Sequence, residues 1–189
     1  MTVIAYRDGV IAADTGAQVG GTFFGHARKI ARDDQGRLAG AAGNATYAHA
    51  FLKWFKDGDW DKKDAPPPPE AKLTETSIDR GVIFLNDGSI RIYEPDGMFE
   101  IRGDFYALGS GRDIALGAMH AGADAVKAAK IAAAIEAGCC GDIEVLTRDL
   151  TVDIAVNLAE DVTEYRIAGT DLAFATRNGQ VVRPLGPRG

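Results

Sequence analysis

A threonine stands directly after the initiator methionine, at the start of the apolar run Met1-Thr-Val-Ile-Ala-Tyr6. If Met1 is removed, Thr2 carries both a hydroxyl group and a free α-amine. The amine can then act as the general base for the hydroxyl of its own residue, which activates a weak nucleophile. Because threonine is small enough for ordinary methionine removal, we expect the mature chain to begin at Thr2. A retained Met1 would block the amine.

Two charged residues and a glycine-containing stretch could support such a nucleophile. Asp14 closes the apolar run 10–13, and Lys29 opens a later one. A lysine ammonium buried near Thr2 would lower the proton affinity of its surroundings, and an aspartate beside it would hold it in place. Backbone N–H groups in Gly40-Ala-Ala-Gly43 could stabilise an oxyanion, because small residues let a substrate carbonyl approach closely.

Each of these residues also has an ordinary structural interpretation. A threonine at position 2 is common, Asp14 is typical of a turn, and Lys29 is typical of a solvated charge at a strand edge. Ser110 follows a predicted strand and fits the N-cap of a helix, with Asp113 three residues later as in a capping box. Taken one at a time, these residues therefore do not establish a catalytic site.

Composition limits the classes of function. The chain has 189 residues, 46% of them hydrophobic, and a net charge of −6, which argues against nucleic acid or an anionic membrane as the main partner. The only two cysteines are adjacent, Cys139 and Cys140, so we expect no disulfide framework and a reducing, cytoplasmic location. No stretch has the length of a membrane helix and no secretory signal is evident. The three histidines lack metal-binding spacing, so we expect neither a metal nor an organic cofactor.

The pattern along the chain predicts strands, one helix, strands, two helices and strands again. Hairpins are expected around Asp8-Gly9, around 32–37 and around 86–89, whereas 15–22 is predicted to be a loop because of its glycines and small residues. A helix should begin after Asn44, and the four prolines at 66–69 should form an extended loop. Two alanine-rich helices should meet at Gly122, with strands near 143–147 and 151–157 and a hairpin near 177–180. Segregated helices and antiparallel strands indicate an α+β fold.

Several of these segments together resemble the family of proteasome β-subunits and HslV. The resemblance covers about residues 2–147 and is carried, in this order, by Thr2-Val-Ile-Ala-Tyr-Arg-Asp-Gly-Val-Ile-Ala-Ala-Asp14, Ala27-Arg-Lys-Ile30, Leu38-Ala-Gly-Ala-Ala-Gly43, Ala107-Leu-Gly-Ser-Gly111 and Cys140-Gly-Asp-Ile-Glu-Val145. It implies the four-layer αββα sandwich of N-terminal nucleophile hydrolases, with two antiparallel sheets between helices. It divides the chain into such a domain at 1–150 and a C-terminal extension at 151–189 that packs on the domain or in subunit contacts.

The resemblance also implies roles for individual residues. Thr2 would be the nucleophile of a threonine endopeptidase, Lys29 the lysine that tunes it, and Asp14 the acidic partner of that lysine. Gly40 would supply the N–H group that stabilises the oxyanion, and Ser110 would support the N-terminal threonine. The residues implied to approach the pocket for the substrate side chain are apolar and mostly small: Ala17, Ala27, Ala31, Leu38 and Ala42.

The implied assembly is a homo-oligomeric ring that acts on polypeptides, with an ATPase unfoldase as a partner. Three features depart from the family pattern. Ala137, next to Glu136, stands where such subunits usually carry an aspartate. A proline-rich loop replaces a long second helix, and about forty residues follow the matched segment. Two alternatives stay open: an N-terminal nucleophile amidohydrolase acting on small amides, and a non-catalytic assembly subunit with the proteasome fold.

Overall fold

The described part of the chain forms two large antiparallel sheets and three helices. A computed structural model describes residues 1–19, 21–58, 60–62, 64–75 and 77–148, together with the strands at 152–156, 162–167, 173–177 and 180–185. The helices are α1 (Ala45–Lys56), α2 (Arg112–His120) and α3 (Ala125–Ile135). The strands up to the third helix are β1 (Val3–Arg7), β2 (Val10–Asp14), β3 (Gly16–Val19), β4 (Thr22–His26), β5 (Ile30–Arg32), β6 (Leu38–Ala42), β7 (Arg80–Phe84), β8 (Ser89–Glu94), β9 (Gly97–Arg102) and β10 (Phe105–Gly109). The strands after it are β11 (Ile143–Thr147), β12 (Val152–Val156), β13 (Val162–Ile167), β14 (Ala173–Arg177) and β15 (Gln180–Leu185).

The strands form one sheet of eight, one of five and a separate pair. The eight-stranded sheet has the order β10-β1-β2-β11-β12-β13-β14-β15, and the five-stranded sheet has the order β5-β6-β7-β8-β9. The pair is β3 with β4. Every described pairing between these strands is antiparallel. The nucleophile candidate Thr2 therefore precedes a strand that is paired on both sides.

Alternating side chains divide the interior into three layers of packing. In β1, Val3 and Ala5 join a cluster with α2 and α3, whereas Ile4 and Tyr6 join a second cluster between the two sheets. The third cluster lies between the five-stranded sheet and α1, where Phe51 is fully buried. Successive residues of a strand point to opposite faces, so each central strand serves two layers. The order helix, sheet, sheet, helix confirms the predicted fold class.

The first predicted hairpin is confirmed, with Asp8 and Gly9 as its two turn residues. Both have positive φ angles, 51° for Asp8 and 78° for Gly9. A two-residue turn of this kind matches the twist of the flanking strands, and aspartate and glycine tolerate the left-handed conformation. Register across the turn pairs Ile4 with Ala13. The turn thereby sets Thr2 beside the end of β2.

The prediction of a loop at 15–22 is wrong. Most of this segment forms β3 and the start of β4, with a register shift between Ala17 and Gln18. Glycines and small residues give no alternating apolar signal, so the pairing could not be read from the sequence. The hairpin carries Phe23 and Phe24, which are 49% and 71% exposed.

The helix after Asn44 and the extended segment after it agree with the prediction. Asn44 caps α1 through its side chain, which accepts a hydrogen bond from Thr46 N. The buried carboxylate of Asp79 accepts from the backbone of Asn44 at 2.7 Å and of Lys72 at 3.1 Å. Trp54 Nε1 donates to the carbonyl of Pro66 at 3.0 Å. Capping and buried charge-assisted bonds thus fasten the proline-rich connection to α1.

The remaining predicted elements are confirmed within one or two residues, including the hairpin at 80–94 and the helices on either side of Gly122. The predicted hairpin near 177–180 corresponds to β14 and β15. Strand β12 pairs with β11, so the C-terminal strands continue the larger sheet. The predicted boundary at 150 lies outside the described residues and stays a prediction.

Two glycine substitutions test the layer beneath α1. A Cβ atom at Gly81 in β7 would lie 2.3 Å from two ring atoms of Phe51, whereas one at Gly117 in α2 would meet nothing within 4 Å. We expect Gly81→Ala to lower the free energy of unfolding by about 1–3 kcal/mol through overpacking. Gly117→Ala should raise it by about 0.5–1 kcal/mol, since alanine favours the helix. Urea denaturation of both variants and the parent measures this, and equal stability of the two variants would contradict the packing described.

Candidate active site

The candidate site lies where β1 begins, β2 ends, β5 begins and the turn from β10 to α2 passes. The register pairs Val3 with Gly109 on one side, and Ile4 with Ala13 on the other. Continued by one residue, this register places Ser110 beside Thr2 and Asp14 beside Val3, from where the Asp14 carboxylate reaches the hydroxyl of Thr2. Thr2 is 6% exposed with Met1 attached. Strand pairing brings the ends of β2 and β10 to this threonine, and the packing of the two sheets brings the start of β5.

Asp14 is fully buried and accepts four hydrogen bonds. Its Oδ1 accepts from Thr2 Oγ1 and from Val3 N, both at 2.9 Å. Its Oδ2 accepts from Lys29 Nζ at 2.9 Å and from Cys140 N at 3.0 Å. A buried carboxylate needs such compensation, and here two backbone amides, a hydroxyl and an ammonium supply it. The carboxylate is consequently fixed in orientation and links the threonine hydroxyl to the lysine.

Lys29 is a buried charge, so the alternative of a solvated strand-edge lysine is wrong. It is 9% exposed, and its Nζ also lies 3.4 Å from the carbonyl oxygen of Met1. Its own carbonyl accepts from Ala41 N at 3.0 Å, which anchors its backbone to β6. Its ammonium is paired with Asp14, and in this position it would stabilise negative charge close to Thr2.

Ser110 contacts the backbone of Thr2 and does not cap α2. Thr2 N donates to Ser110 Oγ at 3.2 Å, and the carbonyl of Thr2 accepts from Gly111 N at 3.1 Å. Gly111 is the N-cap residue of α2, without a side-chain cap bond, so the prediction of Ser110 as the cap is wrong. The left-handed φ of 96° at Gly109 redirects the chain and turns Ser110 toward Thr2.

The structure places Gly40 in the middle of a ladder. Ala41 N points toward β5, where it donates to Lys29, so the amide of Gly40 points the opposite way, toward its partner Val82 in β7. The Cα of Gly40 faces Ile4, since an added Cβ would lie 3.1 Å from that side chain. By the same alternation the amide of Gly43 points to the side of β5, and no described residue accepts a hydrogen bond from it.

The five residues predicted for the substrate pocket do not surround one space. Ala31 packs in the cluster beneath α1, whereas Leu38 and Ala42 belong to the cluster between the sheets. Ala17 and Ala27 are partly exposed. The alternation of side chains along β5 and β6 places Ala31 on one face of the sheet, and Leu38 and Ala42 on the other. Sequence spacing alone could not assign the faces.

The residues after α3 do not include the aspartate that the family pattern places near the N-terminal threonine. Ala137 is exposed, and the carboxylate of Glu136 accepts no hydrogen bond from the described residues. Cys139, 3% exposed, instead reaches the site, with its Sγ 3.8 Å from Ser110 Oγ. Cys140 is partly buried, and its Sγ accepts from Gln18 Nε2 at 2.9 Å. Of the two free cysteines, Cys139 is therefore the buried one.

Two glycines that the sequence analysis did not assign make room for these contacts. An added Cβ at Gly16 would lie 2.2 Å from Cys140 Sγ, and one at Gly109 would lie 2.2 Å from the carbonyl oxygen of Thr2. Both contacts are far below the normal separation of such atoms. The available signal was the presence of glycine two residues after Asp14 and one residue before Ser110. Glycine is required at both positions because the backbone of another segment occupies the space of its side chain.

A cleft of about 560 Å³ opens at the opposite end of the sandwich, away from Thr2. Its lining includes Asp8 from the β1–β2 turn, Arg102 and Asp104 at the β9–β10 turn, and Arg148 after β11. The lining is mixed in charge, and Tyr6 and Thr147 add hydroxyl groups to it. Among the residues described, no group of three or more histidine, cysteine or acidic side chains could hold a metal ion. No helix in the described part of the chain is long and apolar enough to cross a membrane.

The arrangement at Thr2 is suited to nucleophilic chemistry. Its hydroxyl is held by a buried ion pair, and its backbone nitrogen lies next to a serine hydroxyl. An amine at that nitrogen would be positioned close to the hydroxyl of the same residue, as self-activation requires.

Several solved structures have a similar fold. BPH of Thiobacillus denitrificans in complex with epoxomicin matches 77% of this chain and 96% of its own, with 21% identity and a TM-score of 0.50. Eukaryotic HslV from Trypanosoma brucei matches 77% of this chain and 98% of its own, with 17% identity and a TM-score of 0.50. These likenesses show the fold. No protein-family model matches the chain, and no curated protein sequence matches it.

The buried pair of Asp14 and Lys29 can be tested by a double-mutant cycle. Either Asp14→Leu or Lys29→Met alone should lower the free energy of unfolding by about 3–5 kcal/mol, because each leaves one charge buried without its partner. The double variant should lose clearly less than the sum of the two. Denaturation of the four proteins measures the coupling, and strictly additive losses would show that the two charges do not interact.

Gly109 and Gly122 form a matched pair for testing the turn at Ser110. Their φ angles are 96° and 95°, but an added Cβ would meet the carbonyl of Thr2 only at Gly109. Alanine in this conformation costs about 1–2 kcal/mol at either position. Gly109→Ala should lose more stability than Gly122→Ala in the same denaturation experiment, since it must also displace Thr2. Equal losses would mean that the turn tolerates a side chain beside Thr2.

Proposed function

We propose that the protein is a threonine endopeptidase of the proteasome and HslV type, which hydrolyses peptide bonds through Thr2. The observation that carries the proposal is the contact of Thr2 Oγ1 with the buried pair of Asp14 and Lys29, at 2.9 Å from the carboxylate. The resemblance in sequence and the likeness in fold support the same reaction class. Removal of Met1 is part of the proposal, because the amine is the base.

In the proposed mechanism, the α-amine of Thr2 takes the hydroxyl proton while Oγ1 attacks the carbonyl carbon of the peptide. The ammonium of Lys29, 2.9 Å from Asp14, stabilises the developing negative charge near Oγ1. The protonated amine then gives its proton to the leaving nitrogen, and the C–N bond breaks. An ester on Thr2 remains, which water hydrolyses with the amine again taking and returning a proton.

The resemblance implied Gly40 as the donor that stabilises the oxyanion. The amide of Gly40 points toward β7, however, so a nearby residue is better placed for this role. We propose Gly43 as the donor, because its amide faces the side of β5 and is not engaged by a described acceptor. Asp79 holds this corner, since its carboxylate binds the next amide, that of Asn44, at 2.7 Å. An added Cβ at Gly43 would lie 2.4 Å from that carboxylate. The absence of a side chain at Gly43 thus allows the backbone at 43–44 to lie against the buried carboxylate of Asp79.

For the substrate side chain, we propose that Ala17 and Ala27 line the accessible part of the pocket, since both are partly exposed. Small apolar walls favour cleavage after apolar residues.

We further propose a homo-oligomeric ring in the cytoplasm that receives polypeptides from an ATPase unfoldase. The exposed aromatic residues of the β3–β4 hairpin, Phe23 and Phe24, are consistent with a contact between subunits.

Replacement of Thr2 tests the function directly. In protein whose mass shows loss of Met1, Thr2→Ala should reduce hydrolysis of fluorogenic peptides to background, whereas Thr2→Ser should retain part of it. Thr46→Ala serves as the matched control, because Thr46 is exposed on α1. Hydrolysis by Thr2→Ala at more than a tenth of the parent rate would exclude Thr2 as the nucleophile.

Epoxomicin, the compound bound to BPH, provides a second measurement. We expect the intact mass of the denatured protein to increase by one inhibitor, and this increase to be missing in Thr2→Ala. A panel of small acyl amides distinguishes an amidohydrolase, which would cleave them in preference to peptides. A protein without Met1 that neither reacts nor hydrolyses would instead be the non-catalytic assembly subunit.

A further inference from the structure

Cys139 lies directly behind Ser110, on the side away from solvent. It follows α3 in the turn to β11, and its amide donates to the carbonyl of Glu136 at 2.9 Å. It belongs to the core cluster that includes Val3 and Ala132. Its Sγ is 3.8 Å from Ser110 Oγ, within the range of a hydrogen bond to sulfur. The thiol is therefore packed in place by the core and held against the serine hydroxyl.

The hydrogen bonds of Ser110 show what the thiol contributes. Ser110 Oγ accepts from Thr2 N at 3.2 Å, so its own proton must point elsewhere. One described acceptor is the carbonyl of Thr2 at 3.4 Å, which already accepts from Gly111 at 3.1 Å. The other is Cys139 Sγ. A hydroxyl that donates to Cys139 keeps an oxygen lone pair directed at Thr2 N.

Cys139 is also uncharged at neutral pH. Burial raises the pKa of its thiol to about 11, and the negative charge of Asp14 acts in the same direction. The side chain behind Ser110 therefore adds no charge beside the nitrogen of Thr2. Neither Glu136 nor Ala137 supplies a carboxylate contact there. Among the described residues, this nitrogen thus contacts a neutral serine with a neutral thiol behind it, while the charges of Asp14, Lys29 and Glu136 act on the thiol from a distance.

We propose that Cys139 is a positioning residue for the α-amine of Thr2 and acts through Ser110. The proposal rests on the proposed function and adds a residue that the resemblance does not assign. By fixing the serine hydroxyl, Cys139 keeps an acceptor facing the amine, which orients the amine toward Oγ1 of the same residue. Cys140 makes different contacts: its Sγ accepts a hydrogen bond from Gln18, and its backbone amide donates to Asp14.

The test compares the parent with Cys139→Ala, Cys139→Ser and Val145→Ala, all produced with a methionine aminopeptidase and checked by mass for loss of Met1. Val145 is the matched control, because it is buried in the same core cluster but lies on β11. Cys139→Ser keeps a hydrogen-bonding atom at the position, whereas Cys139→Ala removes it. Thermal unfolding of each protein separates loss of packing from loss of positioning.

The first readout does not depend on peptidase activity. The pKa of the Thr2 α-amine is measured from the pH dependence of its acetylation by acetic anhydride, followed by mass spectrometry. We expect this pKa to fall in Cys139→Ala, because a serine hydroxyl that rotates freely stabilises the ammonium form less. The parent, Cys139→Ser and Val145→Ala should share one value.

The second readout is turnover of a fluorogenic peptide across pH. In Cys139→Ala, kcat should fall about tenfold with KM changed less than about twofold, since orientation of the base affects the chemical step and not substrate binding. The acidic limb of the pH profile should move with the pKa of the amine. Cys139→Ser should restore most of kcat.

The two readouts distinguish the two proposals. If Cys139→Ala matches Val145→Ala in both the amine pKa and kcat, Cys139 only fills the core and the positioning role is overturned. If Cys139→Ser is as impaired as Cys139→Ala, the role through hydrogen bonding is likewise overturned. If the amine pKa changes as expected but the parent hydrolyses no peptide, the positioning role stands and the peptidase function fails.

Discussion

The buried carboxylate of Asp14 is the interaction on which the candidate site depends. It binds the hydroxyl of Thr2, the ammonium of Lys29 and the backbone amides of Val3 and Cys140, so it joins the end of β2 to three other segments of the chain. A fully buried carboxylate without these donors would be strongly unfavourable, and the donors would be unsatisfied without it. The interactions that hold these strand ends together thus also fix the position of Thr2.

The layers of the fold explain how such a site can lie at the end of a strand and still be buried. Alanines on β1 and β2 allow α3 to approach closely, and Ala128, Ala129 and Ala132 on that helix are fully buried. Short side chains on both surfaces bring the turn after α3 within reach of Ser110. The larger residues lie in the other two layers, where Tyr6 stacks on Phe84 with ring centroids 3.9 Å apart. Small residues pack on the helix side of β1, and larger residues pack between the two sheets. The start of β1 is therefore covered although it lies near the surface.

The sequence predicts those features whose cause is local. The turn at Asp8-Gly9 and the cap at Asn44 depend on a few neighbouring residues, and both are confirmed. The order of the family-like segments was sufficient to predict the layered fold. Features that depend on direction in space were not predicted, such as the opposite faces taken by Ala31 and Ala42. Ser110 fitted a helix cap by sequence, but the left-handed turn at Gly109 gives it a different partner.

The position of Met1 has a consequence for any measurement of rate. Its carbonyl contacts Lys29, and an added Cβ at Gly138 would lie 2.2 Å from its side chain, so the residue lies across the site. Under the proposed mechanism, a chain that keeps Met1 has an amide where the base should be. A preparation is then a mixture of two chemical species, and its specific activity reports the completeness of N-terminal processing as well as turnover. Active-site titration, rather than protein concentration, provides the correct denominator for kcat.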